Sequence, residues 1–162
     1  MRKRGYSIAV IGLLALACIS GDRAAENEKK FLEGSWETIA VELNGRKTAG
    51  EALDEEDRIA LVFSDRELRS SRKIRRIENG KTTWKEKHET ASYTLYPQRN
   101  PKAIDLTYSR KGKNETVKAI YSLEGGVLKM CFPPDTGMDR PARIEGKLGR
   151  DEVVFTLRRK KP

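Results

Sequence analysis

His88, in "TTWKEKHET", is the only histidine of this 162-residue chain, so any Ser-His-Asp or Cys-His device would have to be built on it. Such devices need an imidazole within hydrogen-bond reach of the nucleophile and a third group to orient it. A single histidine among charged neighbours on a long strand is more simply a surface or barrel-lining polar residue. The cysteines are Cys18 and Cys131. Cys131 stands in "VLKMCFPP", an apolar strand-like run, where a lone cysteine behaves as a small buried hydrophobe rather than a nucleophile. One histidine and one free cysteine do not make a zinc site. The run "DEED" at Asp54–Asp57 lacks calcium-loop spacing, and there is no glycine-rich phosphate loop. The 24 acidic residues leave room for a carboxylate pair brought together by folding, which spacing along the chain does not reveal. The expectation is a protein that is not an enzyme and holds neither a metal nor a cofactor.

Cys18 carries a different chemistry. It ends the opening "MRKRGYSIAVIGLLALAC", in which Arg2, Lys3 and Arg4 precede an uncharged run from Gly5 to Gly21. A basic start, a short apolar stretch and small residues near its end are the architecture of an export signal. A membrane span needs roughly 20 predominantly apolar residues, and this run includes Gly and Ser. Ala15-Leu16-Ala17 suits ordinary cleavage, while Ala15-Leu16-Ala17-Cys18 also resembles a bacterial lipobox, with Leu14 one place early. Cys18 is therefore the candidate lipidation site, and acyl chains on it would anchor the chain to a membrane. The division expected is a signal peptide over residues 1–17, a polar tether over 18–31 and one domain over 32–162. The protein is expected to be exported, and either membrane-anchored through Cys18 or periplasmic or secreted.

The elements that would position everything else are β-strands. Short runs rich in Val, Ile, Tyr, Phe and Thr alternate with turn residues at roughly ten-residue intervals. They predict strands at Ser35–Leu43, Arg58–Phe63, Glu67–Ile77, Thr82–Tyr96, Ala103–Ser109, Thr116–Leu123, Val127–Phe132, Ala142–Gly146 and Val153–Arg159. "ENGK" at Glu78–Lys81 and "EGG" at Glu124–Gly126 are hairpin turns whose Asn and Gly accept positive φ. "TAGEALDEED", anchored by Leu53, predicts a short helix between the first two strands. Alternation puts Val153, Phe155 and Leu157 on one face, as it does Leu128, Met130 and Phe132, and likewise Ile104 and Leu106. Eight or nine such strands in succession favour an all-β, small antiparallel up-and-down barrel, which closes its own edges and can hold one small ligand.

"LEGSW", Leu32–Trp36, then acquires a meaning. A Gly-x-Trp opening the first strand of a small barrel resembles the lipocalin superfamily. The resemblance implies that Gly34 turns the chain into the barrel floor and Trp36 plugs it, with an arginine of the last strand, Arg158 or Arg159, over the indole. Arg158 is taken as the partner. More specifically, "LEGSWETIAVELNGRK", "YTLYPQRNPKAIDLT", "AIYSLEGGVLKMCF" and "DRPARIEGKLG" resemble an uncharacterised family of lipocalin-like bacterial domains of planctomycete type. The resemblance runs from Leu32 to about Arg158 and is strongest in "PKAIDLT", Pro101–Thr107, together with "IYSLEGGVLKMCF" and Asp139-Arg140-Pro141. Tyr96 and Gly126 depart from the family pattern. The resemblance implies a lipocalin-like fold in exported or anchored proteins and carries no activity.

Charge completes the inventory. The formal +9 falls to about +6 without the three leader cations, and much of the excess lies in "RELRSSRKIRRIENGK" and "RRKK". Alternation sends Arg69, Lys73 and Arg75 to one side and Arg72 and Arg76 to the other. Export argues against nucleic acid as the partner; anionic headgroups or anionic envelope polymers are the alternative. Two readings follow. In the first, a monomeric barrel binds a small apolar or amphipathic ligand, with Trp84, Tyr93, Leu95, Ile104, Leu106, Met130 and Phe155 as candidate lining or core residues. In the second, the same side chains fill the barrel, and an envelope interaction protein works through its basic surface.

Overall fold

The structure, a computed structural model, describes residues 16–161, with side chains described from residue 23 onward. All but the last two residues of the expected signal peptide, and the side chain of Cys18, therefore lie outside the described residues. The segment read as a tether is helical: α1 spans Leu16–Leu32. Its alanines, glutamates and lysines are good helix formers, and Lys29 and Lys30 sit in the last turn, where the helix dipole favours cations. No helix among the described residues is long and apolar enough to cross a membrane.

Nine strands follow: β1 (Gly34–Leu43), β2 (Arg46–Ala49), β3 (Ala60–Phe63), β4 (Glu67–Glu78), β5 (Lys81–Tyr96), β6 (Lys102–Arg110), β7 (Lys113–Glu124), β8 (Val127–Phe132) and β9 (Val153–Arg159). All pair antiparallel, and β1, β3, β4, β5, β6, β7, β8 and β9 run in that order until β9 returns to β1. The sheet is thus a closed eight-stranded up-and-down barrel of the lipocalin-like kind. Closure of the eight-stranded wall leaves unflanked strand edges at β2 and along the outer part of the β4–β5 hairpin.

β2 was not foreseen. It folds back on the second half of β1 through Asn44-Gly45, whose φ angles of 51° and 74° are those of a tight hairpin turn. The first half of the same edge of β1 pairs with β3. Between the two, Thr38 bridges the gap: its amide and Oγ1 both donate to the Ile59 carbonyl, at 3.1 and 2.9 Å, beside a bulge in β1. The helix expected in "TAGEALDEED" reduces to one 3-10 turn, Gly50–Ala52, lying between β2 and β3. Leu53 is buried there, but a single apolar anchor does not sustain a longer helix.

Ala142–Gly146 is not a strand. β8 pairs directly with β9 and β9 with β1, so the barrel wall closes without it. Instead the connection from β8 to β9 lies across the outside of the wall. Ala103, Ile120, Cys131 and Val154, in register on β6, β7, β8 and β9, form an outward apolar row against which Ile144 packs. Inside is the main core, where Trp36, Ile104, Leu106, Tyr121, Leu128, Met130 and Leu157 are at most 1% exposed. Burying each such side chain contributes about 1.5–3 kcal/mol.

Candidate functional site

One end of the barrel is closed by the residues of "LEGSW". The helix α1 leaves carbonyls without intrahelical partners at its C-terminus, and two side chains, Trp36 and Arg159, meet them. The Trp36 indole N–H donates to the Leu32 carbonyl at 2.8 Å. The Arg159 guanidinium donates to the Phe31 and Glu33 carbonyls and lies 4.5 Å from the centroid of the Trp36 ring. Gly34 makes the turn at φ +114°, and a Cβ there would stand 2.7 Å from the Arg159 guanidinium. Only glycine meets both demands. Trp36 is therefore the plug, and the arginine over it is Arg159, not Arg158. Strand alternation explains the difference: Arg158 faces outward and pairs with Glu37 at 3.0 Å.

The other end is open. A cavity of about 210 Å³ sits at the mouth, lined by inward-facing residues of β3, β4, β5, β6, β8 and β9. Its floor is apolar, made by Leu61, Leu68, Leu106 and Leu157, and its walls by Tyr108, Phe132 and Phe155. Phe132 and Phe155 meet edge to face, their centroids 5.9 Å apart. The rim is charged. Arg72 and Glu89 line the cavity, and Glu89 is held by Lys87 at 3.1 Å and by Arg110. Burial pushes the Glu89 carboxyl up, but the hydrogen bonds and charges of Lys87 and Arg110 outweigh it and keep the group anionic. Arg110 lies 5.3 Å from the Tyr108 ring centroid and also reaches Glu115 at 3.5 Å. Burial, with Glu89 nearby, raises the Tyr108 hydroxyl above its ordinary range. Arg72 is exposed and makes no ion pair among the described residues. Other depressions lie on the surface, one of about 430 Å³ beside the plug.

Of the seven candidate ligand residues, Leu106 and Phe155 line the cavity. Tyr93, Leu95, Ile104 and Met130 are buried in the filled part of the barrel below it. Tyr93 is tied there by its hydroxyl, which donates to the Ser64 carbonyl at 2.7 Å, and by an edge-to-face contact with Phe63. Trp84 is no part of the barrel interior: it is 46% exposed and pairs with Arg75 across the projecting part of the β4–β5 hairpin. Ser70, Arg72 and Glu89 were missed, although extending the inward alternation from Leu68 along β4 and from Ala91 along β5 reaches them.

The residues considered for chemistry are scattered. His88 is an exposed residue of β5, its ring 3.8 Å from Glu86. Cys131 is a fully buried free thiol, pushed up to about 12 by burial and then by Glu152. Among the described residues no group of three or more His, Cys, Asp or Glu side chains is placed to hold a metal ion.

A second polar cluster is structural. Arg140 donates to the Ile104 and Ala119 carbonyls at 3.2 and 2.6 Å and to Asp105 at 2.5 Å. Tyr96 donates to the other oxygen of Asp105 at 3.2 Å, and Arg140 also lies over its ring. "PKAIDLT" and Asp139-Arg140-Pro141, two of the three stretches in which the resemblance is strongest, thus meet on the barrel wall. Comparison with protein-family models, with curated proteins and with solved structures finds no match to this chain. What the geometry defines is a class by fold alone, a small antiparallel barrel plugged at one end and open at the other.

Proposed function

We propose that the protein is an exported binding module, held to a membrane through Cys18, whose barrel takes a small amphipathic ligand without chemical transformation. The observation that supports this reading is the asymmetry of the barrel, filled and plugged below and open above into a cavity with an apolar floor and a charged rim. The cavity is smaller than the roughly 300–1,000 Å³ typical of drug-sized sites, so the ligand is a short one. Its apolar part rests on Leu61, Leu106 and Phe155, and its polar or anionic end meets Arg72, the rim cation without a protein carboxylate. The exposure of His88 and the deep burial of Cys131 are consistent with binding alone.

Native mass spectrometry of the exported protein, before and after incubation with octanoate and short isoprenoids, tests the reading. The expected result is a one-to-one adduct that weakens in Ser70→Phe, where an added ring occupies the cavity. A bare mass under all conditions would instead support a filled barrel that acts through its surface.

A further inference from the structure

The β4–β5 hairpin is longer than the barrel needs. Its strands pair from Glu67 opposite Ser92 to Glu78 opposite Lys81, yet β3 accompanies β4 only as far as Ser71, and β6 accompanies β5 only from Ser92. Beyond those points no further strand flanks the two-stranded ribbon, and the loop before β3 touches it through Glu55 on Lys73 and Glu56, which accepts from the Arg75 amide at 2.9 Å. Isolated two-stranded hairpins are marginal in water, and their exposed faces are normally polar. This one carries Ile77, 66% exposed, and Trp84, 46% exposed, on one face near its tip. From residue 72 to residue 87 the ribbon carries seven cations against Glu78 and Glu86: Lys73 and Arg75 on the face of Ile77 and Trp84, and Arg72, Arg76, Lys81, Lys85 and Lys87 on the other. Lys73 is engaged by Glu55 at 2.9 Å and Lys87 by Glu89 at 3.1 Å. The other five cations make no ion pair among the described residues.

We propose that this ribbon is a docking element for an anionic phospholipid surface, its tip entering end-on so that Ile77 and Trp84 reach the headgroup layer from one face while Arg76, Lys81 and Lys85 meet lipid phosphates from the other. Charge complementarity draws cations to anionic leaflets, and tryptophan favours the interface because its ring is apolar and its N–H stays wet. A soluble polyanion would reward the cations alone and leave the two exposed apolar side chains unexplained. The ribbon rises from the cavity rim, since Arg72 belongs to both. Docking would therefore bring the open mouth toward the bilayer, though the inference stands whether or not the cavity takes a ligand.

The test uses the full chain carrying Cys18→Ser, so that no acyl anchor contributes, with vesicles of phosphatidylglycerol and phosphatidylethanolamine or of phosphatidylcholine alone. Trp36 is buried, so a change in tryptophan emission reports Trp84. The expected result is cosedimentation with the anionic vesicles and a blue shift of emission, both absent with phosphatidylcholine. Arg76→Glu/Lys85→Glu should weaken that binding by at least about tenfold, and Trp84→Ala should abolish the shift while retaining the wild-type circular dichroism. Equal binding to both vesicle types, or binding unaffected by the charge reversals, would overturn the inference. So would tight binding to soluble polyphosphate with no emission shift on anionic vesicles.

Discussion

Trp36 does three jobs with one side chain: it fills the barrel floor, donates its N–H to a helix-terminal carbonyl, and offers its ring face to Arg159. The largest of these is packing, because removing a buried indole leaves a cavity that strands joined around the barrel cannot collapse into. Trp36→Ala is expected to cost about 3–5 kcal/mol, read from the urea midpoint by far-UV circular dichroism. An unchanged midpoint would show that the floor is sealed by α1 without the indole. The contribution of Arg159 is smaller, since the residue is exposed and an exposed cation–π contact gives about 0.5–1 kcal/mol. That Gly34 and Trp36 belong together was legible from their spacing at the head of a strand. Choosing between Arg158 and Arg159 required the register of β9 on β1, in which Trp36 faces Arg159 across the barrel seam. A one-residue step along a strand reverses the face.

At the scale of elements, the hairpins written with Asn-Gly or Gly-Gly were legible because those residues accept φ > 0 with little strain. Asn44-Gly45 carries the same signal as Asn79-Gly80, and β2 follows from it; the four-residue "RKTA" has too little apolar alternation to announce a strand by itself. The segment Ala142–Gly146 shows the opposite error. Its pattern looks extended, but Arg140 pins the preceding residues to β6 and β7, and Ile144 spends its apolar side chain on the outer row rather than in a ladder. The β4–β5 hairpin combines two kinds of strand in one element. Near Leu68 and Tyr93 each strand has strand neighbours on both edges, whereas from Arg72 to Lys87 each has only the other, apart from the Arg75 amide, which donates to Glu56 at 2.9 Å. Local opening free energy follows the number of such supports. Hydrogen–deuterium exchange should therefore show the amides of residues 73–86 exchanging well ahead of those at Tyr93–Leu95, Ile104–Leu106 and Ala119–Tyr121. Uniform protection along the whole hairpin would mean that something beyond β4 and β5 holds the ribbon in place.

For the molecule as a whole, the barrel itself was the most legible feature, since alternation repeated over successive strands fixes which side faces inward. How much of that interior is filled was not legible, because Leu95 and Leu106 obey the same alternation although one lies in solid core and the other under an open cavity. Burial of the tyrosines has a measurable consequence in alkali. Tyr93, Tyr96, Tyr108 and Tyr121 all hold their protons more tightly in the fold than in the unfolded chain, chiefly because burial disfavours the phenolate, and Tyr93 is pushed up to about 12. Tyr93 also donates to Ser64, a bond that ionisation removes. Above the ordinary tyrosine value near 10, the unfolded chain releases protons that the native chain retains, so the unfolded state binds fewer and stability falls with rising pH. The stabilising difference is complete below about pH 10 and is lost as pH climbs through the native value, about 12 for Tyr93. Urea midpoints should accordingly begin to slip near pH 9, where the unfolded chain's Cys131 thiol ionises and the buried one does not, and drop more steeply above about 10, with the phenolate absorbance rising together with unfolding rather than ahead of it. Should that absorbance rise fully near pH 10 while the far-UV signal stays native, the tyrosines would be in contact with water and the lower barrel would not be the dry core that Tyr93 and Tyr121 mark out.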